Sequence, residues 1–237
     1  MAITMNLLVG GLNEANATSY TTASITPTSN ALVLFGVHHV RGSSPPATPT
    51  LTSNAGLNSI WTQIATEPYN TPTTPISRSI LFRSLHASPG SGTVTIDFGG
   101  ETQVRAAWIV AEFLVVDTGG TNGSVALAQF ATDVLTASGT TLAPILAAFG
   151  DAVNNATYIF ACINNDTALN NEAGYTEISE QNPVTESFRT AAAWLLGQDT
   201  TPTYTFASSV GAAIAVEIKA AVSGTHPGWY VTRGGWF

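Results

Sequence analysis

The sequence predicts an all-β chain: a two-sheet, antiparallel β-sandwich with extended N- and C-terminal arms. Three observations carry that expectation. Short segments rich in Thr, Val and Ile alternate apolar with polar residues, the period of a half-buried strand. Clusters of Gly, Pro, Asn and Ser divide those segments at the spacing of an all-β domain. The composition is 44% hydrophobic but only 9% charged, so neutral polar residues must build the surface. Thr leads them at about one residue in seven, well above ordinary usage. At 237 residues the chain can bury a core as one domain. Residues 1–18 read as an arm, 19–222 as the sandwich and 223–237 as an aromatic, Gly-rich tail.

Taken in order, the first strand expected is Ser19 to Ile25, closed by Thr26-Pro27-Thr28, and the next is Ala31 to His39. Arg41 to Asn54 carries Pro45, Pro46 and Pro49 and reads as an exposed loop, because proline lacks the N–H that a central strand needs. Trp61 to Ala65 is a short strand before a second proline-bearing loop through Pro68, Pro72 and Pro75. Ser77 to His86 and Thr93 to Phe98 read as a hairpin, joined by Ala87-Ser-Pro-Gly-Ser-Gly92. Arg105 to Asp117 and Gly211 to Ala221 are the most apolar segments and read as central strands. Between them, Ala126–Phe130, Tyr158–Ile163, Tyr175–Ser179, Phe188–Leu196 and Thr203–Ala207 read as further strands. Leu142, Ile145, Leu146 and Phe149 fit a helical period, so a short helix competes there with an extended segment.

Charge narrows the function classes. Seven basic residues stand against fifteen acidic, net −8, and the sole lysine is Lys219. Binding a nucleic-acid backbone requires clustered Lys and Arg, so no nucleic-acid partner is expected. No membrane partner is expected either: the longest apolar run, Ala106 to Val116, is too short to span and contains Glu112. The N-terminus lacks the basic segment of a signal peptide. A single cysteine, Cys162, excludes an internal disulfide framework and reads as a buried thiol among Tyr158, Ile159, Phe160 and Ile163.

Catalytic and ligand-binding patterns are sparse. The sequence has no Gly-x-Ser-x-Gly, phosphate loop or dinucleotide fingerprint. Of His38, His39, His86 and His226, only His38 and His39 are adjacent, and neighbours on a strand point to opposite faces. No metal, cofactor or catalytic residue is therefore expected. Glu112 and Glu217 lie in apolar strands and read as ion pairs with Arg83, Arg105 or Lys219 on a solvated face. A glycosidase pair built from these two carboxylates is the competing reading. Asn164-Asn165-Asp166 and Asn170-Asn171-Glu172 have oxygen ligands for calcium but not its spacing, and read as turns. Trp61, Trp108 and Trp194 could stack on sugars, but within strands they read as packing.

Thr18-Ser-Tyr-Thr-Thr-Ala-Ser-Ile-Thr-Pro-Thr-Ser-Asn-Ala-Leu-Val-Leu resembles the opening of a group of tailed-bacteriophage virion proteins. Later pieces follow in a similar order: Trp61, Ser-Ile-Leu-Phe-Arg (79–83), Gly-Thr-Val-Thr-Ile-Asp-Phe (92–98), Ala-Trp-Ile-Val-Ala-Glu-Phe with Val-Asp-Thr (107–118), Ala-Gly-Tyr-Thr-Glu (173–177) and Ala-Ile-Ala-Val-Glu-Ile-Lys (213–219). The resemblance covers about residues 18–221 and rests on the order of the pieces, each being ordinary strand grammar alone. It implies a lectin-like or jelly-roll sandwich and carries over no catalytic residue.

The expectation that follows is a non-enzymatic structural protein of a tailed-phage virion, decorating the head and made in the host cytoplasm. A tail or fibre component that binds host glycans is the alternative, and a β-sandwich glycoside hydrolase stands behind both. The expected partners are copies of itself, a trimer among the options, and other virion proteins such as the major capsid protein. Trp229, Tyr230, Arg233, Trp236 and Phe237 of the tail are the expected interface, since aromatic residues and Arg dominate interface hot spots. Leu7, Leu8 and Val9 of the N-terminal arm are expected to dock on another face.

Overall fold

The computed structural model describes residues 2–42, 46–54, 56–69, 76–183 and 187–221. Its strands are β1 (Thr4–Asn13), β2 (Ser19–Thr21), β3 (Leu32–Arg41), β4 (Thr50–Ser53), β5 (Thr62–Tyr69), β6 (Ile76–Leu85), β7 (Val94–Asp97), β8 (Arg105–Leu114), β9 (Leu127–Leu142), β10 (Ala156–Ile163), β11 (Asn170–Asn171), β12 (Thr176–Gln181), β13 (Arg189–Leu196) and β14 (Tyr204–Ile218). They form a five-stranded sheet in the order β1-β8-β3-β6-β5, and a three-stranded sheet, β2-β7-β4. A six-stranded sheet runs β11-β14-β10-β13-β12, with β9 also paired to β14. Every strand pairing is antiparallel, and no helix occurs among the described residues, so the fold is all-β.

Side-chain alternation explains how the layers stack. One face of the five-stranded sheet, with Leu32, Leu34, Ile109 and Phe113, shares a core with Tyr158, Phe160, Ile214 and Val216 of the six-stranded sheet. The opposite face, with Val33, Phe35, Phe82 and Trp108, is covered by Tyr20, Val94, Ile96 and Phe98 of the small sheet and its flanks. The outer face of the six-stranded sheet, with Ile159, Ala161, Ala213 and Ala215, packs against Leu142, Leu146 and Phe149. Strands β3, β8 and β10 are consequently covered on both faces, and they are buried at nearly every position. This is why both parities of Leu32–Val40 are apolar: each fully buried Leu, Val or Phe contributes about 1.5–3 kcal/mol.

The segment 143–149 settles as an irregular strap, and the helical alternative is set aside. Its N–H groups bond outward, to Asp133 from Ala143, Thr200 from Leu146, Gln129 from Ala147 and Gln198 from Phe149. Donors directed to the sheet cannot close helical turns, and the apolar spacing serves instead to seat Leu146 and Phe149.

Several expected elements are corrected. The segment 1–18 is not a free arm over Thr4–Asn13, because β1 pairs with β8 along its length. It satisfies main-chain groups that β8 would otherwise present at a sheet edge. Leu8 and Val9 pack partly against the core beneath the small sheet, while Leu7 is 45% exposed. The expected hairpin does not form: β6 pairs with β3 and β5, whereas β7 pairs with β2 and β4. Its six-residue link is too long for a tight turn and carries the chain from one layer to the next. Thr50–Ser53 of the first proline loop is strand β4, and Pro68 of the second lies within β5. Both strands lie at sheet edges, where proline is tolerated.

Thr203–Ala207 and Gly211–Ala221 join into β14 across irregular pairings on either side of Ser209, and β9 runs on to Leu142. The first expected strand shrinks to β2, with Ile25 held only by a bridge to Gly92. Strand β8 stops at Leu114 because Val115 turns the chain at φ 62°. The tail residues Trp229, Tyr230, Arg233, Trp236 and Phe237 lie outside the described residues.

Candidate functional site

The two large sheets enclose a chain of polar side chains. His38 on β3 faces the six-stranded sheet, with Nδ1 2.7 Å from Thr190 Oγ1 and Nε2 2.5 Å from the Tyr69 hydroxyl. The Thr190 hydroxyl donates to Cys162 Sγ at 3.9 Å, and the Cys162 thiol donates to Ser79 Oγ at 3.4 Å. One direction of donation satisfies every member: Tyr69 to Nε2, Nδ1–H to Thr190, Thr190 to Cys162 and Cys162 to Ser79. It requires a neutral imidazole with its proton on Nδ1. Burial holds the His38 pKa well below its usual value, helped by the positive Arg105. Burial likewise pushes the Tyr69 hydroxyl well up and the Cys162 thiol up to about 12. A protonated, fully buried thiol is a poor nucleophile. Iodoacetamide should therefore leave Cys162 unmodified in the native protein and alkylate it on unfolding, as intact mass will show; rapid native labelling would contradict the burial.

His39 points to the other face, as strand alternation requires. Its Nδ1–H donates to Gln103 Oε1 at 2.9 Å, its ring packs against Phe98, and burial lowers its pKa to about 3. His38 and His39 thus serve two different layers. Among the described residues, no group of three or more His, Cys, Asp or Glu side chains could hold a metal ion.

The ion pairs expected of Glu112 and Glu217 are corrected. Both side chains are buried, at 3% and 2% exposure, because additional layers cover the faces expected to be solvated. Glu112 accepts from the Thr28 N–H at 2.6 Å, the Thr28 hydroxyl at 3.0 Å and the Asn6 amide at 3.0 Å. It pins the turn before β3 to the sheet. Glu217 accepts from Gln129 at 2.7 Å and from Asn155 at 2.5 Å. Asn155 also accepts from the Ala220 N–H, and Gln129 bonds both main-chain groups of Ala147. Neutral donors compensate these carboxylates, while Lys219 pairs with Asp117 and Arg83 bonds Asn122. Glu112 lies on the small-sheet face of one large sheet and Glu217 on the strap face of the other. Stacked sheets are about 10 Å apart, so these carboxylates do not flank a common glycosidic bond.

Asn165 donates to Ser208 O from a loop, whereas the turn expected at Asn170–Asn171 is corrected: these residues form β11 on β14, with Asn170 donating to Thr205 O and Asn171 to Tyr175 O. Trp108 on β8, Trp194 on β13 and Trp61 just before β5 are packed. Trp61 meets Phe35 edge-on and donates to Ser53, Trp108 is 5% exposed, and Trp194 meets Phe113 edge-on.

An open groove of about 440 Å³ runs between the edges of the two large sheets, where β5 and β6 approach β9. Ile64 and Leu127 are its apolar part, Gln63, Ser124 and Arg83 its polar part, and Phe130, 54% exposed, stands at its side. Asn122, at φ 51°, fixes the neighbouring turn. Its amide donates to Ile60 O at 2.6 Å and Thr62 Oγ1 at 2.9 Å, while its side-chain oxygen accepts from the Leu85 N–H at 3.1 Å. Its carbonyl accepts from Arg83 Nε at 3.2 Å. Sequence reading did not single out Asn122, Gln129, Asn155 or the groove role of Arg83. Asn122-Gly123 was visible as a turn signal, but its partners are 37–62 residues away. Compared with protein-family models, curated proteins and solved structures, the chain matches none.

Proposed function

We propose that the chain is a non-enzymatic structural protein of a tailed-phage virion, a decoration of the head surface built as a lectin-like or jelly-roll β-sandwich. One observation carries the non-enzymatic reading: five side chains capable of chemistry, placed within the strands, are engaged in holding layers together. His38, His39, Cys162, Glu112 and Glu217 are all buried and bonded to neutral partners. The stacked antiparallel sheets support the sandwich, and the ordered run of motifs between residues 18 and 221 supports the phage assignment. Apolar side chains left at the surface, Leu7 on β1, Ile145 on the strap and Val153 beyond it, support contacts with further subunits.

In this reading copies of the chain, as a trimer or another closed oligomer, sit on the major capsid protein, and residues 223–237 anchor them. Mass spectrometry of purified particles, with imaging of the chain's position, tests the assignment. The chain should be found on the head surface; its absence from particles overturns the virion reading. Deleting residues 223–237 should leave a folded protein that no longer joins particles. Loss of cooperative unfolding in the truncated monomer would instead assign the tail to the core. The groove beside Arg83 favours a second reading, a tail or fibre component that binds host glycans.

A further inference from the structure

We propose that the groove between β5, β6 and β9 binds a carboxylate-bearing sugar, such as a uronic or sialic acid unit, with Arg83 holding the carboxylate. The inference deepens the glycan-binding reading and does not depend on where in a particle the chain sits.

Charge is the first argument. The chain has only seven basic residues, and three of them, Arg41, Arg189 and Lys219, form ion pairs with Glu101, Glu180 and Asp117. Arg83 forms no ion pair among the described residues. Its bond to Asn122 O uses Nε, and Asn122 is itself fixed to Ile60, Thr62 and Leu85. The guanidinium is therefore oriented before any ligand arrives, which reduces the ordering cost of binding. It is also partly withdrawn from water, and that desolvation lowers its proton affinity. A partly desolvated guanidinium that forms no ion pair among the described residues is matched by a monoanion presented as a planar fork.

The remaining lining indicates the body attached to that anion. The Gln63 amide offers donors and an acceptor, and the Ser124 hydroxyl offers both roles, which suits a molecule carrying several hydroxyls. Phe130 presents an exposed ring against which an apolar C–H face can lie. The volume, about 440 Å³, falls in the range of small-molecule sites. A phosphate dianion would leave charge unmatched by one guanidinium.

Titration of the full-length protein with galacturonic acid, galactose, acetate and inorganic phosphate tests the assignment, read by NMR shifts of the Arg83 Nε–H and the Gln63 amide. Galacturonic acid should shift both signals and bind about tenfold or more tightly than galactose, the factor expected for one charge-assisted bond. Arg83→Gln should remove that advantage, and Phe130→Ala, at an exposed ring, should weaken binding of galacturonic acid without moving the thermal midpoint. Equal binding of acetate or phosphate would reduce the site to a simple anion site and overturn the proposal. Equal binding of galactose, no response to any probe, or unchanged galacturonic acid binding by Phe130→Ala would overturn it as well.

Discussion

Acidifying the protein from pH 7 to about pH 4 should destabilise it strongly, and the two buried histidines should be the main cause. His39 titrates near 3 in the folded chain, against 6.5 for an ordinary imidazole, and His38 is also held well below 6.5. Above pH 6.5 both rings are neutral in either state, and this contribution to stability is complete. Below it the unfolded chain takes up two protons that the folded chain refuses, so stability falls as pH falls towards the folded value. His39 contributes a slope approaching about 1.4 kcal/mol per pH unit and loses about 2 kcal/mol between pH 6.5 and 4.5, and His38 adds a loss of the same sign. A domain commonly has only about 5–15 kcal/mol in total. The folded chain resists protonation for visible reasons. His38 is enclosed by Tyr69, Thr190 and Phe188 with His39 and Arg105 near; His39 is buried against Phe98 with Arg78 near, which outweighs the Gln103 bond that favours its proton. Asp117, whose pKa is lowered by the Gly119 N–H and Lys219, acts only below the usual carboxylate range. Thermal midpoints measured at half-unit steps should fall steeply below pH 6, and His39→Gln should make that slope shallower. A midpoint level from pH 7 to 4.5 would contradict the argument.

The sequence made some of this arrangement legible and hid the rest, and the division follows from range. The strand faces of Val33–His39 could be read because alternation is local, and it places His38 and His39 on opposite faces. The number of layers could not. Leu34 and Phe35 are both apolar whether a strand lies at the centre of one sandwich or between two covering layers. A two-layer expectation left the polar side of β8 and β14 facing water, so Glu112 and Glu217 were matched with Arg and Lys. A covering turn at Thr28 and a covering strap at Ala147 change the partners to neutral groups. Sheet membership was equally hidden. Ser77–His86 and Thr93–Phe98 carry hairpin grammar, yet the pairing of β7 depends on β2 and β4, about 75 and 45 residues upstream. The groove is a still more distant product, since Arg83, Ser124 and Phe130 meet only where the edges of two sheets approach.

Replacing Gly36 with Val should destabilise the fold more than any surface substitution, by about 3 kcal/mol. Gly36 lies midway along β3, between the two large sheets, and pairs with Leu81 on one side and Ile109 on the other. A Cβ at this position would come within 2.4–2.7 Å of three atoms of the Phe160 ring, closer than side chains pack. The absence of a side chain lets that ring lie directly on the β3 backbone. Phe160 cannot retreat easily: it is fully buried on β10, between β13 and β14, with Ala192 and Ile214 as its register partners. Any displacement would spread through a layer in which neighbouring side chains already fill the space, and such interiors transmit strain rather than absorb it. Val adds two methyl groups beyond the first clash, so Gly36→Ala should cost less and set a graded series. Pairing Gly36→Ala with Phe160→Leu checks the cause, because a smaller side chain at 160 should recover part of the loss caused at 36. Urea unfolding of the four proteins measures that coupling. If Gly36→Ala and Phe160→Leu simply add, the close approach of the ring to β3 is not what limits the substitution.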